Sequence, residues 1–412
     1  MMNGLSRLFE EEPVQWGLRG DPLLWNEIKL ELETIAFPAG IDDFRKLLYS
    51  MFYQLTGEEP AQGKNIYVPR YGEISSGMSS GVVCSDFWIE KGFPLILQRY
   101  EENMKNRMDK IKDISALTWQ ELEILPKEKT ILFLTFAPVE EHSQHLPLGV
   151  DLILGENWKE KAIQLITEKH TDFYILTMDR IPFAQGTIKG FPGNLHVKQK
   201  TVYRVAFELL ECIAGWGIRN IVIIASHGEP KHLIAIEEAC EKINKKYGIC
   251  SISPMGSFFS YNELGIDLNF PALLKEQLEK YPNDFHAGWL ETSAILDINE
   301  QYVKDGYQDL PDLKVEEKEM IFPKKVNKKI AGYGHIGFPR FASRELGKLI
   351  NESTAEFIYK ATMAFVRRKG YKIYEHHSLY KLPFMKTNFV RNVFLLIGFI
   401  IGLFIIILIY KI

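Results

Sequence analysis

One stretch limits what this chain can fold into. Thr130-Ile131-Leu132-Phe133-Leu134-Thr135-Phe136 is an almost unbroken apolar run, and a helical pattern opens shortly after it at Leu152. A short run of that kind reads as a buried strand, and strand followed by helix suits an α/β sheet. Between the two lie Glu140, His142 and Asp151, beside a Pro147/Gly149 turn. Glu140 and His142 are two apart, so in extended chain their side chains point the same way. In open α/β sheets ligands bind beyond the carboxyl ends of the strands. Three metal-binding side chains crowd such an end, and the Asp151 carboxylate is able to bridge two cations.

The same alternation continues. The expected strands are 130–136, 172–177, 220–225 and 250–253; the expected helices are 152–169, 198–216, 231–247 and 343–369. This order argues for an α/β domain with a mainly parallel sheet covered on both faces. At 412 residues the chain exceeds one ordinary domain. Residues 1–100 are expected to be a separate, mostly helical module of unknown role, and 101–114 a charged helical linker. Residues 115–372 form the α/β domain and 373–392 a basic segment. The net charge of −4, with no basic aromatic patch, excludes a general nucleic-acid binder. Cys84, Cys212, Cys240 and Cys250 have no paired metal-type spacing and read as reduced core residues of a cytoplasmic protein. The start is too acidic and too weakly apolar for a secretory signal.

Residues 393–410 carry no charge. At 1.5 Å per residue such a helix spans roughly 27 Å, about the hydrocarbon thickness of a bilayer. It is therefore expected to be a single transmembrane helix. Lys372, Lys381, Lys386 and Arg391 precede it and Lys411 follows, which by the positive-inside rule leaves the globular part in the cytoplasm, at the cell membrane.

Three more clusters fall where loops are expected. Ser226-His227-Gly228-Glu229 directly follows a buried strand, Phe191-Pro192-Gly193-Asn194 sits in a glycine-rich loop, and Asp284-Phe285-His286-Ala287-Gly288-Trp289-Leu290-Glu291-Thr292-Ser293 lies in the last third. In this order, with Glu140, His142, His145-Leu146-Pro147 and Asp151, the set resembles the creatininase (creatinine amidohydrolase) family over about 115–370. The resemblance implies a Rossmann-like, three-layer, mainly parallel sheet and subunits that assemble as homo-oligomers, commonly hexamers. It implies two divalent metal ions per subunit: Glu140, Asp151 and His227 holding one, His142, Asp151 and Glu229 the other. Carboxylate and imidazole donors suit Zn, Mn or Fe.

The chemistry expected of such a site is hydrolysis. Two close cations lower the pKa of a shared water and polarise a carbonyl, so a metal-bound hydroxide attacks an amide carbon. His286 is the expected proton carrier to the leaving nitrogen, with Glu291 a reserve ligand or base. The leading function is a dinuclear metal amidohydrolase that cleaves a non-peptide C–N bond of a small cyclic or linear amide. The alternatives are hydrolysis of another bond, such as a ring-ketone C–C bond, and a non-catalytic membrane-anchored scaffold that keeps the fold. His145 is expected to hydrogen-bond within its loop or orient a ligand, Gly193 to serve a backbone turn, and His196, His376 and His377 to lie at the surface or an interface. Two departures from the family pattern are Ser143, where glycine is common after the histidine, and Ser226-His227-Gly228-Glu229-Pro230 in place of an Asn-Gly-His-Gly-Gly-Asn run.

Overall fold

The structure is a computed structural model that describes residues 110–410 apart from 321, together with Leu18–Arg19 and Val83–Cys84. The chain divides into two compact units, 1–110 and 111–412. In the first, Leu18–Arg19 pairs antiparallel with Val83–Cys84. The rest of the mostly helical module expected over 1–100, and the expected linker as far as residue 109, fall outside the described residues.

The second unit is built on five strands: β1 (Ile111–Asp113), β2 (Thr130–Thr135), β3 (Tyr174–Thr177), β4 (Asn220–Ile224) and β5 (Cys250–Ile252). All pair in parallel, in the order β1-β3-β2-β4-β5. β2 is central, and Ile131, Leu132, Phe133 and Leu134 have no exposed surface. An apolar run pays no penalty there, because both of its faces are covered.

Four long helices supply most of the cover: α1 (Val150–Lys169), α2 (Gln199–Gly215), α3 (Pro230–Tyr247) and α5 (Arg344–Val366), with the shorter α4 (Trp289–Asn299). The chain leaves β2 through α1 towards β3, then returns through α2 to β4 and moves outward through α3 to β5. Right-handed crossovers therefore put α1 on one face and α2 and α3 on the other. α2 packs on α3, while α1 packs on α4 and α5. Trp158 of α1 donates to Asn351 Oδ1 of α5 at 2.8 Å, and Asn351 donates onward to the Ala294 carbonyl of α4.

The direction of winding reverses between β2 and β4, which makes their carboxyl ends a topological switch point and the place for a ligand crevice. Two features hold the edges. On the free side of β5, Asn244 of α3 accepts from Ser251 N at 2.6 Å and donates to Ser251 O at 2.8 Å, standing in for a neighbouring strand. At the other edge Ile111–Asp113 is a strand, not the helical linker expected there. Its charged residues tolerate the exposed position that pairing with β3 alone leaves them. Of the cysteines, Cys240 and Cys250 are buried as expected, but Cys212 is exposed on α2.

Residues 371–385 form three short 3₁₀ turns. They are strapped to α3 by His377 N donating to Glu237 Oε1, Tyr380 OH to Glu241, and Thr387 N to Glu238. His377, expected at the surface or an interface, is thereby buried within the fold. The apolar C-terminal segment is one helix, α6 (Phe389–Tyr410). Among the described residues no helix is long and apolar enough to cross a membrane. The transmembrane helix expected over 393–410 is therefore not shown.

Candidate metal centre

The loop after β2 brings Glu140 and His142 to the switch point, and the chain enters α1 at Val150, one residue before Asp151. Asp151 does not cap α1, since Gly149 takes the N-cap position. The loop after β4 delivers His227 from the neighbouring strand. Ser226 beside it donates from Oγ to the Asp151 carbonyl at 2.6 Å, which ties the two loops together. Gly155 allows this approach, because a Cβ there would stand 2.4 Å from Ser226 Oγ.

Two groups of side chains result, each with its candidate ligand atoms within 4.8 Å of one another: Glu140, Asp151 and His227, and His142, His286 and Glu291. His227 Nδ1 lies 3.2 Å from Glu140 Oε2 and 3.3 Å from Asp151 Oδ2. His142 Nε2 lies 3.7 Å from Asp151 Oδ1 and 3.6 Å from Glu291 Oε2. Asp151 thus turns one oxygen towards each group. The His142 Nδ1–H donates to the Glu140 carbonyl at 3.0 Å, which leaves Nε2 as the free nitrogen aimed into the site.

Buried polar atoms are normally hydrogen-bonded. Here both Glu140 carboxylate oxygens, Asp151 Oδ2 and His142 Nε2 are buried without a hydrogen-bond partner. They approach one another, but not along hydrogen-bond directions. Donors arranged in this way, all carboxylate or imidazole, fit divalent cations of the Zn, Mn or Fe class.

The electrostatics agree. Burial alone would raise the Glu140 carboxyl, but the His227 imidazolium and His196 outweigh it and hold it at about 2. Asp151 is likewise pulled far below the usual carboxylate range, against its burial, by His142 and His227. Burial would lower His142, yet Asp151 and Glu291 raise it to about 10; His227 is raised to about 9 by Glu140 and Asp151 in the same way. Without a cation the carboxylates draw protons onto the imidazoles, so the pocket demands positive charge.

The second loop system is fixed by Asp284. Its carboxylate accepts from Trp289 N, Leu290 N and Phe338 N, capping α4 and pinning the loop that carries His286. His286 Nε2–H donates to the Glu141 carbonyl at 2.7 Å. Glu291 Oε2 accepts from Ala287 N at 2.6 Å. Two residues beside the site hold the left-handed backbone that usually selects glycine, Ser143 at φ 63° and Ala287 at φ 48°. The Ser143 Oγ donates to the Tyr333 carbonyl at 2.6 Å.

Five of the sequence-derived site residues, Glu140, His142, Asp151, His227 and His286, converge, and Glu291 joins them. Glu229 stands outside both groups: Thr187 Oγ1 donates to its Oε2 at 3.0 Å, and burial raises its carboxyl. His145 reaches Thr292 Oγ1 at 2.8 Å across the loop. Gly193 has φ 97°, the turn expected of it. Sequence reasoning missed Glu141, whose Oε1 is buried 3.5 Å from His286 Nε2. It also expected His196 at the surface or an interface, whereas His196 Nε2 lies 2.9 Å from Glu140 Oε1.

Comparison with known proteins bears on this site. Residues 115–362 match the family model of creatininase, creatinine amidohydrolase. No curated protein matches the chain. Among solved structures, a mutant creatininase complexed with creatine is 19% identical, with a TM-score of 0.47, covering 60% of this chain and 96% of its own. A creatininase described with Mn is 20% identical with a TM-score of 0.46 at the same coverage. A creatinine amidohydrolase (creatininase) crystal structure is 19% identical with a TM-score of 0.47, covering 61% and 97%. Since the family match spans more than half of its residues, the chain belongs to the creatininase family.

Proposed function

We propose that this chain is a metal-dependent amidohydrolase that hydrolyses a non-peptide C–N bond of a small cyclic or linear amide. The observation that carries the reading is the set of buried, unpartnered carboxylate and imidazole atoms converging at the switch point. Glu140, Asp151 and His227 would hold one divalent cation. His142, Glu291 and the second oxygen of Asp151 would hold the other. When bound, such cations supply Lewis acidity that activates water and polarises a carbonyl.

The chain's own side chains do the rest. His142 is turned inward by its bond to the Glu140 carbonyl, and Glu291 is pinned by the Ala287 N–H. His286 gives its Nε2–H to the Glu141 carbonyl, which leaves Nδ1 to pass a proton to the leaving nitrogen. Burial of Glu140, Asp151 and His142 keeps bulk water from screening these charges.

Metal analysis of the purified full-length chain, beside Glu140→Gln and His142→Ala, tests the reading. Two bound cations per chain, reduced in both variants, together with turnover of a panel of amides and formamides, support it. Under one tightly bound cation, unaffected by either change, points to a scaffold, and turnover of cyclic ketones alone points to C–C hydrolysis.

We further propose that the chain is held at the cell membrane, with its globular part in the cytoplasm, by the uncharged run 393–410. The exposed Phe394, Leu395 and Phe399 of α6 support this. Resistance of the full-length chain to alkaline extraction from membranes is the check. Assembly as a homo-oligomer, a hexamer by family resemblance, is checked by light scattering.

A further inference from the structure

His196 is not part of either group of candidate ligands, yet it touches one of them. The loop before it is stitched to both neighbours of Glu140. Leu195 N donates to the Val139 carbonyl at 2.9 Å, and Glu141 N donates to Asn194 Oδ1 at 2.7 Å. On its other side Val197 N donates to the Ala184 carbonyl at 2.8 Å. The imidazole lies against Gly186, where a Cβ would stand 2.4 Å from its Cε1 and Nε2. Backbone and ring are thus held together beside one carboxylate.

The two oxygens of that carboxylate face different partners. Glu140 Oε1 is 2.9 Å from His196 Nε2, and Oε2 is 3.2 Å from His227 Nδ1. A carboxylate free to rotate would present either oxygen, or both, to a cation. One tethered at Oε1 presents Oε2.

We propose that His196 is a positioning residue: its Nε2, 2.9 Å from Glu140 Oε1, holds the carboxylate so that Oε2 faces the cation site shared with Asp151 and His227. This rests on the metal-site reading above. Outer partners of metal ligands typically change affinity about 10–100-fold when removed.

The test uses the metal-free full-length chain titrated with Co²⁺, read by visible ligand-field absorption and by competition with a chromophoric chelator. His196→Ala is expected to weaken one of two cations about 10–100-fold and alter its absorption bands, with both cations still bound at saturation. His196→Gln, whose amide nitrogen can take the place of Nε2 beside Glu140 Oε1, is expected to recover most of the affinity. Gly186→Ala displaces the ring without removing it and is expected to act like His196→Ala; melting temperatures identify a variant that fails to fold. Wild-type affinity and spectrum in a folded His196→Ala overturn this inference alone. Loss of a whole cation equivalent in both His196 variants overturns it too, by making His196 a ligand. Failure of the wild type to bind Co²⁺ overturns both this inference and the proposed function.

Discussion

Loading the metal-free chain with divalent cations should expel protons. His142 is held at about 10 and His227 at about 9, so at pH 7 both imidazoles are protonated. A cation needs the lone pair that the proton occupies. Each proposed ligand set contains one such histidine, His227 in one and His142 in the other, so roughly one proton leaves per cation and about two for the pair. Calorimetric titration at pH 7 in buffers of different ionisation enthalpy reads this directly, as the slope of observed heat against buffer heat. Between pH 6 and 8 the affinity for each cation should rise about tenfold per pH unit, roughly 1.4 kcal/mol per proton. The stability of the metal-free chain follows the opposite sign. Folded pKa values above the unfolded histidine value give stability that is complete below about pH 6.5 and lost as pH rises through 9 and 10. His142→Ala should lower the calorimetric slope by about one. A slope of zero in every buffer, with equal affinity at pH 6 and pH 8, would refute the charge balance described for this site.

Three other perturbations reach different parts of the fold. Gly155→Ala places a Cβ 2.4 Å from Ser226 Oγ and 2.6 Å from Thr135 Cγ2. Overpacking of that kind costs about 1–3 kcal/mol, seen as a lower denaturant midpoint. Asn244→Ala strips the Ser251 N–H and carbonyl on the free side of β5 of their partner, a cost of about 1–3 kcal/mol. Faster amide exchange at Ser251 is the signature. Burial raises the Glu237 carboxyl above its ordinary value of 4.5. Above that pH the folded state then holds more protons than the unfolded one, so stability falls as pH rises. Glu237→Gln keeps an acceptor for His377 N and should flatten this fall, so the variant's advantage in melting temperature grows from pH 5 to pH 8.

The sheet was legible because its strands are local and apolar. β2, β4 and the helices after them sit within a residue or two of the bounds read from the pattern. β1 was missed because Ile111-Lys112-Asp113 is short and charged, and only its pairing with β3, more than sixty residues away, makes it a strand. The ligand types and their order were legible for a similar reason: Glu140, His142 and Asp151 share one loop, and His227 ends a strand. What spacing cannot carry is which long-range neighbour takes each lone pair.

Glu229 and Glu291 show this limit. Both are glutamates close in sequence to a site histidine, and both were read as able to complete the second group. Glu229 is engaged by Thr187, 42 positions earlier in the chain. Glu291 lies on the first turn of α4, whose direction is set by Asp284 capping it, and its Oε2 is drawn to the Ala287 N–H beside His286. The carboxylate that ends 3.6 Å from His142 is therefore chosen by a helix cap and a left-handed alanine, neither of which is a metal motif. Removing the cap should test that choice. Asp284→Ala leaves every candidate ligand in place but frees the first turn of α4, so the cation shared by His142 and Glu291 should weaken while the one held by Glu140, Asp151 and His227 keeps its affinity. Equal weakening of both would mean that the cap supports the whole loop system rather than the placement of Glu291.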